Sequence, residues 1–284
     1  MILCMKKMFF ALIIFAAFLA GCNSNDLNSA AGLRDVDVYL TDAPNGGDNN
    51  HHDGNHHNPW KRFSAVNLDI VGIQYLAADS LSKDSAVWTV IPFTEKIYNI
   101  SMLSNGDSVL LSSFSIPENQ IVRKIKFKLG KNSTVVLADN TVKPLLISNK
   151  SDSTLVVHVR NNVPKGKYSI MLDFDIAHSI VMWWDGNFYL KPVMRCFVRE
   201  TTACVRGFVA PINLATKVFI VIGNDTIATV SDVNRDNRFK LDGLTKGKYL
   251  VQFMPLDSTR VTATRAIEVR HEKCIYLGKV KVIN

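Results

Sequence analysis

The 284-residue sequence lacks long helical periodicity, because apolar residues do not recur at the three- and four-residue spacing of an amphipathic helix. It also lacks a glycine-rich phosphate loop, a local Ser/His/Asp arrangement and a helical histidine pair of the metalloprotease kind. Nucleotide-binding proteins and several hydrolase classes are therefore disfavoured. Hydrophobic residues make up 47% of the chain, which is ample for a packed core in each of two domains of ordinary size.

What the sequence does contain is period-two alternation of apolar and polar residues, which is typical of β-strands. The predicted strands cover residues 35–41, 65–75, 108–114, 120–129, 134–138, 154–159, 168–176, 188–198, 204–209, 216–222, 226–231, 238–241, 248–253, 262–269 and 275–282. In the first two strands the residues predicted to point inward are Val36, Val38, Leu40, Val66, Leu68 and Ile70. Many short strands separated by Gly, Pro, Asn and Asp predict an all-β fold of sandwiches or a partly closed barrel. Because the pattern breaks near residues 199–203, we predict two β-sandwich domains.

The N-terminal segment predicts export and lipid anchoring. Lys6 and Lys7 precede an uncharged apolar stretch, residues 8–19, that has the length of a signal-peptide core rather than of a membrane span. The segment Leu19–Cys22 resembles a lipobox, so we expect Cys22 to become the first residue of the mature chain and to carry acyl chains. An uncleaved membrane helix and an ordinary secretory cut are the alternatives.

The predicted domain order starts with the signal peptide at residues 1–21 and an Asn/Ser-rich tether at 22–33. An N-terminal β-sandwich domain then occupies residues 34–200, and a second one occupies 204–284. Asn23, rather than an aspartate, follows the acylated cysteine. By resemblance to Gram-negative lipoproteins, this argues against retention in the inner membrane and for the outer membrane. We therefore expect a protein anchored by lipid in the outer membrane. Its expected partner is a glycan or an envelope protein, and no cofactor is expected.

Positive charge is in excess but is mostly spread out, with a formal net charge of +8. Only the segment Arg123–Lys128 concentrates positive charge. In a strand, its three lysines share one face while Ile125 and Phe127 share the other. A solvated strand face is the simplest interpretation. For an exported protein, an anionic partner at this face is expected to be a glycan, a lipopolysaccharide or a membrane surface rather than nucleic acid.

Three cysteines remain once Cys4 leaves with the signal peptide and Cys22 is acylated. Cys204 and Cys274 lie near the first and last strands predicted for the second domain, so a disulfide between them is geometrically plausible. A bridge between Cys196 and Cys204, or three free buried thiols, are the alternatives.

Two family resemblances follow from longer blocks of sequence. The segment Asp232–Phe239 followed by Leu241–Val251 resembles the turn and strand signature of carboxypeptidase-regulatory-like, prealbumin-type domains. This resemblance implies an Ig-like or prealbumin-like sandwich of about seven strands that serves as a spacer or stabiliser. Asp236 and Asn237 stand where the family turn usually carries glycine, and asparagine tolerates the left-handed backbone that such a turn needs.

The second resemblance covers roughly residues 35–199. Its four ordered blocks are Val38–Pro44, Ala65–Ile73, Leu172–Ile180 and Tyr189–Val193. They resemble the domain-of-unknown-function family numbered forty-three eighty-two. The resemblance implies a β-sandwich domain on exported lipoproteins, without an established activity or catalytic residues.

A histidine-rich insertion is the obvious candidate for metal binding. It contributes His51, His52, His56 and His57. Imidazoles at this density offer several neutral nitrogen ligands for zinc, nickel or copper, so a weakly bound divalent metal is one interpretation. A solvent-exposed loop without a metal role is the simpler one, because a tract without a packed surrounding shell binds metals loosely.

Three acidic residues are candidates for chemistry. Asp173 and Asp175 alternate with apolar residues, so we expect both on one strand face, with His178 beyond. There they are expected either to be wet, on a half-buried strand, or to bond to neighbouring backbone. Acting as acid and base in glycoside hydrolysis would require an opposing carboxylate across a cleft. Asp42 is expected to accept backbone hydrogen bonds in an Asx-type turn, and a calcium or ligand contact is the alternative.

Trp183 and Trp184 are the candidates for ligand binding. With Asp185–Asn187 they are predicted to form the tip of a hairpin, where one tryptophan packs and its neighbour is exposed. An exposed tryptophan can stack on a sugar ring or enter a protein groove, whereas edge packing is the interpretation without a function.

The sequence therefore favours a noncatalytic cell-envelope module for binding, adhesion or assembly. A metal-binding lipoprotein that uses the histidine loop is the first alternative, and a carbohydrate-active enzyme is the second.

Overall fold

The structure, a computed structural model, describes residues 32–42, 63–79, 87–147, 153–159, 162–223, 225–258 and 261–282. The predicted signal peptide, the lipidation site Cys22, the tether and the histidine loop lie outside these ranges. Within them, no helix combines the length and the hydrophobicity that crossing a bilayer requires.

Alternating residues in the first part of the chain build a two-layered β-sandwich. Its strands are β1 (Leu33–Asp42), β2 (Phe63–Asp79), β3 (Trp88–Val90), β4 (Lys96–Asn99), β5 (Val109–Pro117), β6 (Gln120–Leu129), β7 (Thr134–Leu137), β8 (Val142–Ile147), β9 (Thr154–His158), β10 (Tyr168–Phe174), β11 (Ile180–Met182), β12 (Phe188–Leu190) and β13 (Met194–Val198). A single-turn helix, α1 (Ile176–Ser179), separates β10 from β11.

The first sandwich pairs a four-stranded sheet with a larger one. The four-stranded sheet has the order β13-β10-β1-β5, in which β1 and β10 run parallel with Val36 opposite Tyr168. The larger sheet has the order β11-β12-β8-β7-β2-β6-β9, and β3 and β4 also pair with β2. The residues predicted to point inward from β1 and β2 are all buried in the core between these sheets, as the period-two pattern requires.

The second sandwich follows directly and has its own hydrophobic core. Its strands are β14 (Ala203–Ala210), β15 (Thr216–Ile222), β16 (Asp225–Val230), β17 (Arg238–Leu244), β18 (Gly247–Pro255), β19 (Ala263–Val269) and β20 (Ile275–Lys281). They form a three-stranded sheet, β17-β14-β20, and a four-stranded sheet, β16-β15-β18-β19. Buried apolar residues from both sheets, such as Val205, Phe239 and Phe253, meet between the layers. The predicted all-β fold of two sandwiches, the second with seven strands, is confirmed.

Two details of the second sandwich concern residues singled out in the sequence. A disulfide joins Cys204 to Cys274, whose Cα atoms are 4.3 Å apart, and Cys196 is a free thiol. Burial raises the pKa of Cys196 to about 12, so the thiol stays protonated. Asp236 and Asn237 both have a φ of 55°, which is the left-handed conformation expected at this turn.

One predicted strand is divided in the structure. The predicted segment 188–198 forms β12 and β13, because Pro192 lies between them and has no amide hydrogen for a sheet ladder. Its neighbour Lys191 donates its amide to Ser179 instead. Strands β3, β4 and β8 were not predicted from the sequence. The hairpin arm predicted before the tryptophans is shorter than expected, because α1 precedes β11.

Candidate functional site

The hairpin formed by β11 and β12 places both candidate tryptophans at its tip. The strands pair from Ile180 opposite Leu190 to Met182 opposite Phe188. Phe188 and Leu190 are buried in the core of the first sandwich, so the hairpin is fixed at its base. The turn closes where the Gly186 amide donates to the Trp183 carbonyl at 3.0 Å, and the φ of Gly186 is +76°.

Side-chain contacts hold this turn in one conformation. The Asp185 carboxylate accepts hydrogen bonds from the Asn187 amide at 2.9 Å, from the Asn187 side chain at 3.0 Å and from the Tyr189 hydroxyl at 3.2 Å. The bonds from Asn187 keep the pKa of Asp185 below its ordinary value. The ring of Tyr189 also lies against that of Trp183, with the centroids 5.0 Å apart. The tip is therefore ordered without help from a partner.

The fixed turn presents apolar surface to solvent. Trp184 is 93% exposed and Trp183 is 48% exposed. Val181 and Met182, which precede them on β11, are exposed as well. We call these four residues the aromatic tip. An exposed tryptophan on a fixed turn can enter a protein groove or stack on a sugar ring, so this arrangement is suited to binding.

Neither Asp173 nor Asp175 lies on a wet strand face, but the expected alternative, a hydrogen bond to neighbouring backbone, is observed for Asp175. Asp173 is 2% exposed, because Arg195 covers it with its Nε 2.5 Å from the Asp173 carboxylate. The same guanidinium donates through Nη2 to the carbonyl oxygen of Asp242 in the second sandwich, at 3.0 Å. Asp175 is also buried, and it caps α1 by accepting a hydrogen bond from the His178 amide at 3.1 Å.

Asp42 lies beside these two acids and is 3% exposed. Burial, followed by the charges of Asp173 and Asp175, raises the pKa of Asp42 well above its ordinary value, against a smaller opposing effect from the Ile176 amide. The predicted Asx turn involves residues after Asp42 that lie outside the described ranges, so it stays a prediction.

The three carboxylates do not line an open cleft. The cavity that Asp42 and Asp173 share with the second sandwich has a volume of about 20 Å³, which is space for a water molecule and not for a sugar ring. In the described part of the chain, no three His, Cys, Asp or Glu side chains converge as a metal ion would require. The histidine candidates His51, His52, His56 and His57 lie outside that part.

Several residues of these sites gave no signal in the sequence. Tyr189, whose ring lies against that of Trp183, occupies an ordinary position in a strand pattern, so nothing in the sequence distinguishes it. Arg195 connects Asp173 to the second sandwich only because β13 lies beside β10. Asn105 lies in a turn, yet its side chain donates to the Val230 carbonyl and accepts from Thr229, both in the second sandwich. Such partners come together only through the tertiary fold.

Solved structures give weak likenesses. The shaft pilin SpaA of Lactobacillus rhamnosus GG is 11% identical, with 88% of this chain and 97% of the pilin covered and a TM-score of 0.22. The minor pilin GBS52 of Streptococcus agalactiae is 12% identical, with 88% and 97% covered and a TM-score of 0.22. The Bacillus anthracis TIE protein is 11% identical at a TM-score of 0.24, and the aligned region spans 89% of this chain but only 34% of that protein. Likenesses at these scores support no conclusion about function.

A match to a family model is more informative. No curated protein matches this chain. The family described as Domain of unknown function (DUF4382) matches residues 35–192, which is more than half of the chain and nearly all of the first sandwich. The matched region contains most of β1, the buried acids and the aromatic tip. The chain therefore belongs to the DUF4382 family.

Proposed function

We propose that this protein is a noncatalytic module of the cell envelope, anchored by acyl chains on Cys22 in the outer membrane, that attaches to a glycan or an envelope protein through its aromatic tip. The observation that carries the proposal is the 93% exposure of Trp184 on a hairpin that is already ordered. Tryptophan and tyrosine are common among the residues that dominate binding energy. A turn fixed in advance also lowers the entropic cost of binding.

The surroundings of the buried acids favour binding over catalysis. A glycosidase needs two accessible carboxylates on either side of the scissile bond. Here Asp173 is occupied by Arg195, Asp175 caps a helix, and the shared cavity is too small for a saccharide. Asp173 instead contributes, through Arg195, to the join between the two sandwiches.

The lipid anchor is supported by the sequence at residues 6–22. A Cys22→Ser variant of the full-length chain is expected to remain unacylated and to leave the membrane fraction. The mass of the N-terminal peptide of the mature protein provides the direct measurement. An unmodified Cys22 in the membrane-bound protein would refute this part of the proposal.

The tip is tested by photocrosslinking in native envelopes. A photoreactive phenylalanine at position 184 is expected to capture a discrete glycan or protein partner. Leu250, an exposed apolar residue on β18 of the second sandwich, provides the matched control position. The double variant Trp183→Ala, Trp184→Ala is expected to weaken recovery of that partner by a factor of about 30 or more, the loss of one dominant interface residue. The same products from both positions, or undiminished recovery by the double variant, would contradict the proposal.

A further inference from the structure

The outer face of the larger sheet in the first sandwich carries a row of lysines. Lys124, Lys126 and Lys128 point outward from β6, at intervals of about 6.8 Å for alternate strand residues. The residues paired beside them on the neighbouring strands are His158, Val156 and Thr154 on β9, Leu76, Gln74 and Gly72 on β2, and Trp88 and Val90 on β3. No residue in this set is acidic.

Within the described ranges, the positive charge of the row is not neutralised locally. None of the three lysines forms an ion pair with a described residue. Asp69, the acid that precedes Gly72 along β2, is buried at the turn after β6 and accepts a hydrogen bond from the Asn132 amide at 3.0 Å. The row therefore keeps its full attraction for anions.

The middle lysine is held in position by an aromatic ring. The Nζ atom of Lys126 lies 3.9 Å from the centroid of the Trp88 ring, which is a cation–π contact. This contact limits the conformations of a side chain that would otherwise move freely in solvent. The ammonium group is thus directed over the sheet surface before any ligand binds.

Beside the row the surface is concave. A groove of about 400 Å³ is lined by residues that include Gly72, Gln74, Val90, Phe93, Lys126 and Lys128. This volume lies within the range of about 300–1,000 Å³ that is usual for ligand sites. We call it the lysine groove. Gly72 contributes open space, because a Cβ atom there would meet only the Cβ of Lys128, at 3.8 Å.

We propose that the lysine groove binds an acidic saccharide chain, one that bears a carboxylate or sulfate group on successive sugar units. Lysines at evenly spaced strand positions, two of which line the groove, complement a linear polyanion better than a single anion. Gln74 can donate hydrogen bonds to sugar hydroxyls, and Val90 and Phe93 offer apolar contact to the ring faces. The groove is separate in sequence from the aromatic tip, so this binding does not depend on the function proposed for the tip.

The shape of the site separates this ligand from an anionic membrane. A bilayer surface is flat and would leave a groove of this depth filled with water, whereas a saccharide chain can enter it. Filling the groove should therefore abolish binding of a saccharide while leaving the attraction of the lysines for a charged surface intact.

The test uses the full-length protein and an octamer of galacturonic acid as the probe, with its fully methyl-esterified form as the uncharged control. Titration calorimetry at about 50 mM salt is expected to show binding of the acidic form only. The triple variant Lys124→Gln, Lys126→Gln, Lys128→Gln should bind the octamer about tenfold or more weakly, because it removes three ammonium groups that would pair with the carboxylates of the octamer. Its matched control removes the same charge at three exposed lysines elsewhere, Lys165→Gln, Lys248→Gln and Lys279→Gln, and should bind like the wild type.

A second variant tests the groove itself. Gly72→Val keeps every charge, suits a strand, and places methyl groups in the open space, so it should also bind the acidic octamer about tenfold or more weakly. Equal loss in the control triple variant, equal binding of the esterified octamer, or unchanged binding by Gly72→Val would overturn the proposal. So would tighter binding to phosphatidylglycerol vesicles than to the octamer if that binding requires the same lysines and tolerates Gly72→Val.

Discussion

At the scale of single residues, Asp42 couples the stability of the fold to pH. Its carboxyl group has a raised pKa because it is buried and because Asp173 and Asp175 lie close by. The folded state therefore holds this proton more tightly than the unfolded chain, whose carboxyl pKa is about 3.9. The stability that this bound proton contributes to the fold is fully present below about pH 3.9. It is lost as the pH rises through the raised pKa of the folded state.

Replacing Asp42 with asparagine removes the ionisation at nearly constant shape. We expect Asp42→Asn to be more stable than the wild type at pH 8. The gain in the free energy of unfolding should be about 1.4 kcal/mol for each unit by which the folded pKa exceeds the unfolded one, counting only the units below pH 8. Thermal unfolding between pH 4 and pH 8 measures the effect, which should vanish near pH 4. Asp257→Asn, at an exposed position, should change stability by less than about 0.5 kcal/mol. A variant that is less stable than the wild type at pH 8 would refute this account.

Asn237 combines a left-handed backbone with buried hydrogen bonds. Its φ is 55°, and its side-chain amide donates to the carbonyl oxygens of Pro211 at 3.0 Å and Leu214 at 2.9 Å. We expect Asn237→Ala to lower the free energy of unfolding by about 3 kcal/mol, through lost hydrogen bonds and a strained alanine. Urea unfolding measures the loss.

Two comparisons separate the causes at this turn. Asn237→Gly should be about 1 kcal/mol more stable than Asn237→Ala, because glycine adopts the left-handed conformation without strain. Asp236→Gly should not destabilise the protein, because Asp236 is exposed and has the same φ. Equal stabilities of the glycine and alanine variants at position 237 would show that backbone strain contributes nothing there.

At the scale of elements, the β11–β12 hairpin depends on Asp185. Asp185→Ala should leave the fold intact while the Asn187 amide exchanges its hydrogen roughly fivefold faster, since one hydrogen bond contributes about 1 kcal/mol. Hydrogen exchange followed by mass spectrometry measures this change. Asp139→Ala removes the same kind of bond, to the Thr141 amide, from the turn between β7 and β8, and should not affect the tip. Unchanged exchange at Asn187 would mean that Asp185 does not order the turn.

The elements also show how far the sequence could predict the fold. Strands with clear alternation, such as β6 and β15, were predicted to the residue because one face of each is buried. Strands β3 and β4 have three and four residues, too few for a period to appear. The burial of Asp173 could not be predicted, because Arg195, which covers it, lies opposite it only in the folded sheet and is held by the Asp242 carbonyl of the second sandwich.

At the scale of the whole molecule, polar contacts join the two sandwiches. Asn105 is buried between them and bonds with the second sandwich at the Val230 carbonyl, the Thr229 hydroxyl and the Lys240 amide. Nearby, Asp107 forms an ion pair with Arg235 at 2.7 Å. We therefore expect the two sandwiches to unfold together despite their separate cores.

Removing the central contact should uncouple them. Asn105 has a φ of 59°, so Asn105→Gly removes the side-chain bonds without straining the backbone. We expect a loss of about 2–3 kcal/mol and two resolved calorimetric transitions in place of one. Asn162→Ala, at an exposed site of the first sandwich, is the control and should keep a single transition. A single unshifted transition for Asn105→Gly would show that the sandwiches are coupled by other means.

The parallel pairing of β1 with β10 has a consequence for folding during synthesis. The ribosome releases β1 early, but the strand that lies beside it in the sheet is made only after most of the first sandwich has been synthesised. During that interval the edge of β1 that carries Val36, Val38 and Leu40 lacks its partner strand β10. Pairing between strands so far apart in sequence is also slow. The nascent chain is then most exposed to association with its neighbours, so its yield should depend on a chaperone that shields β1 until β10 arrives.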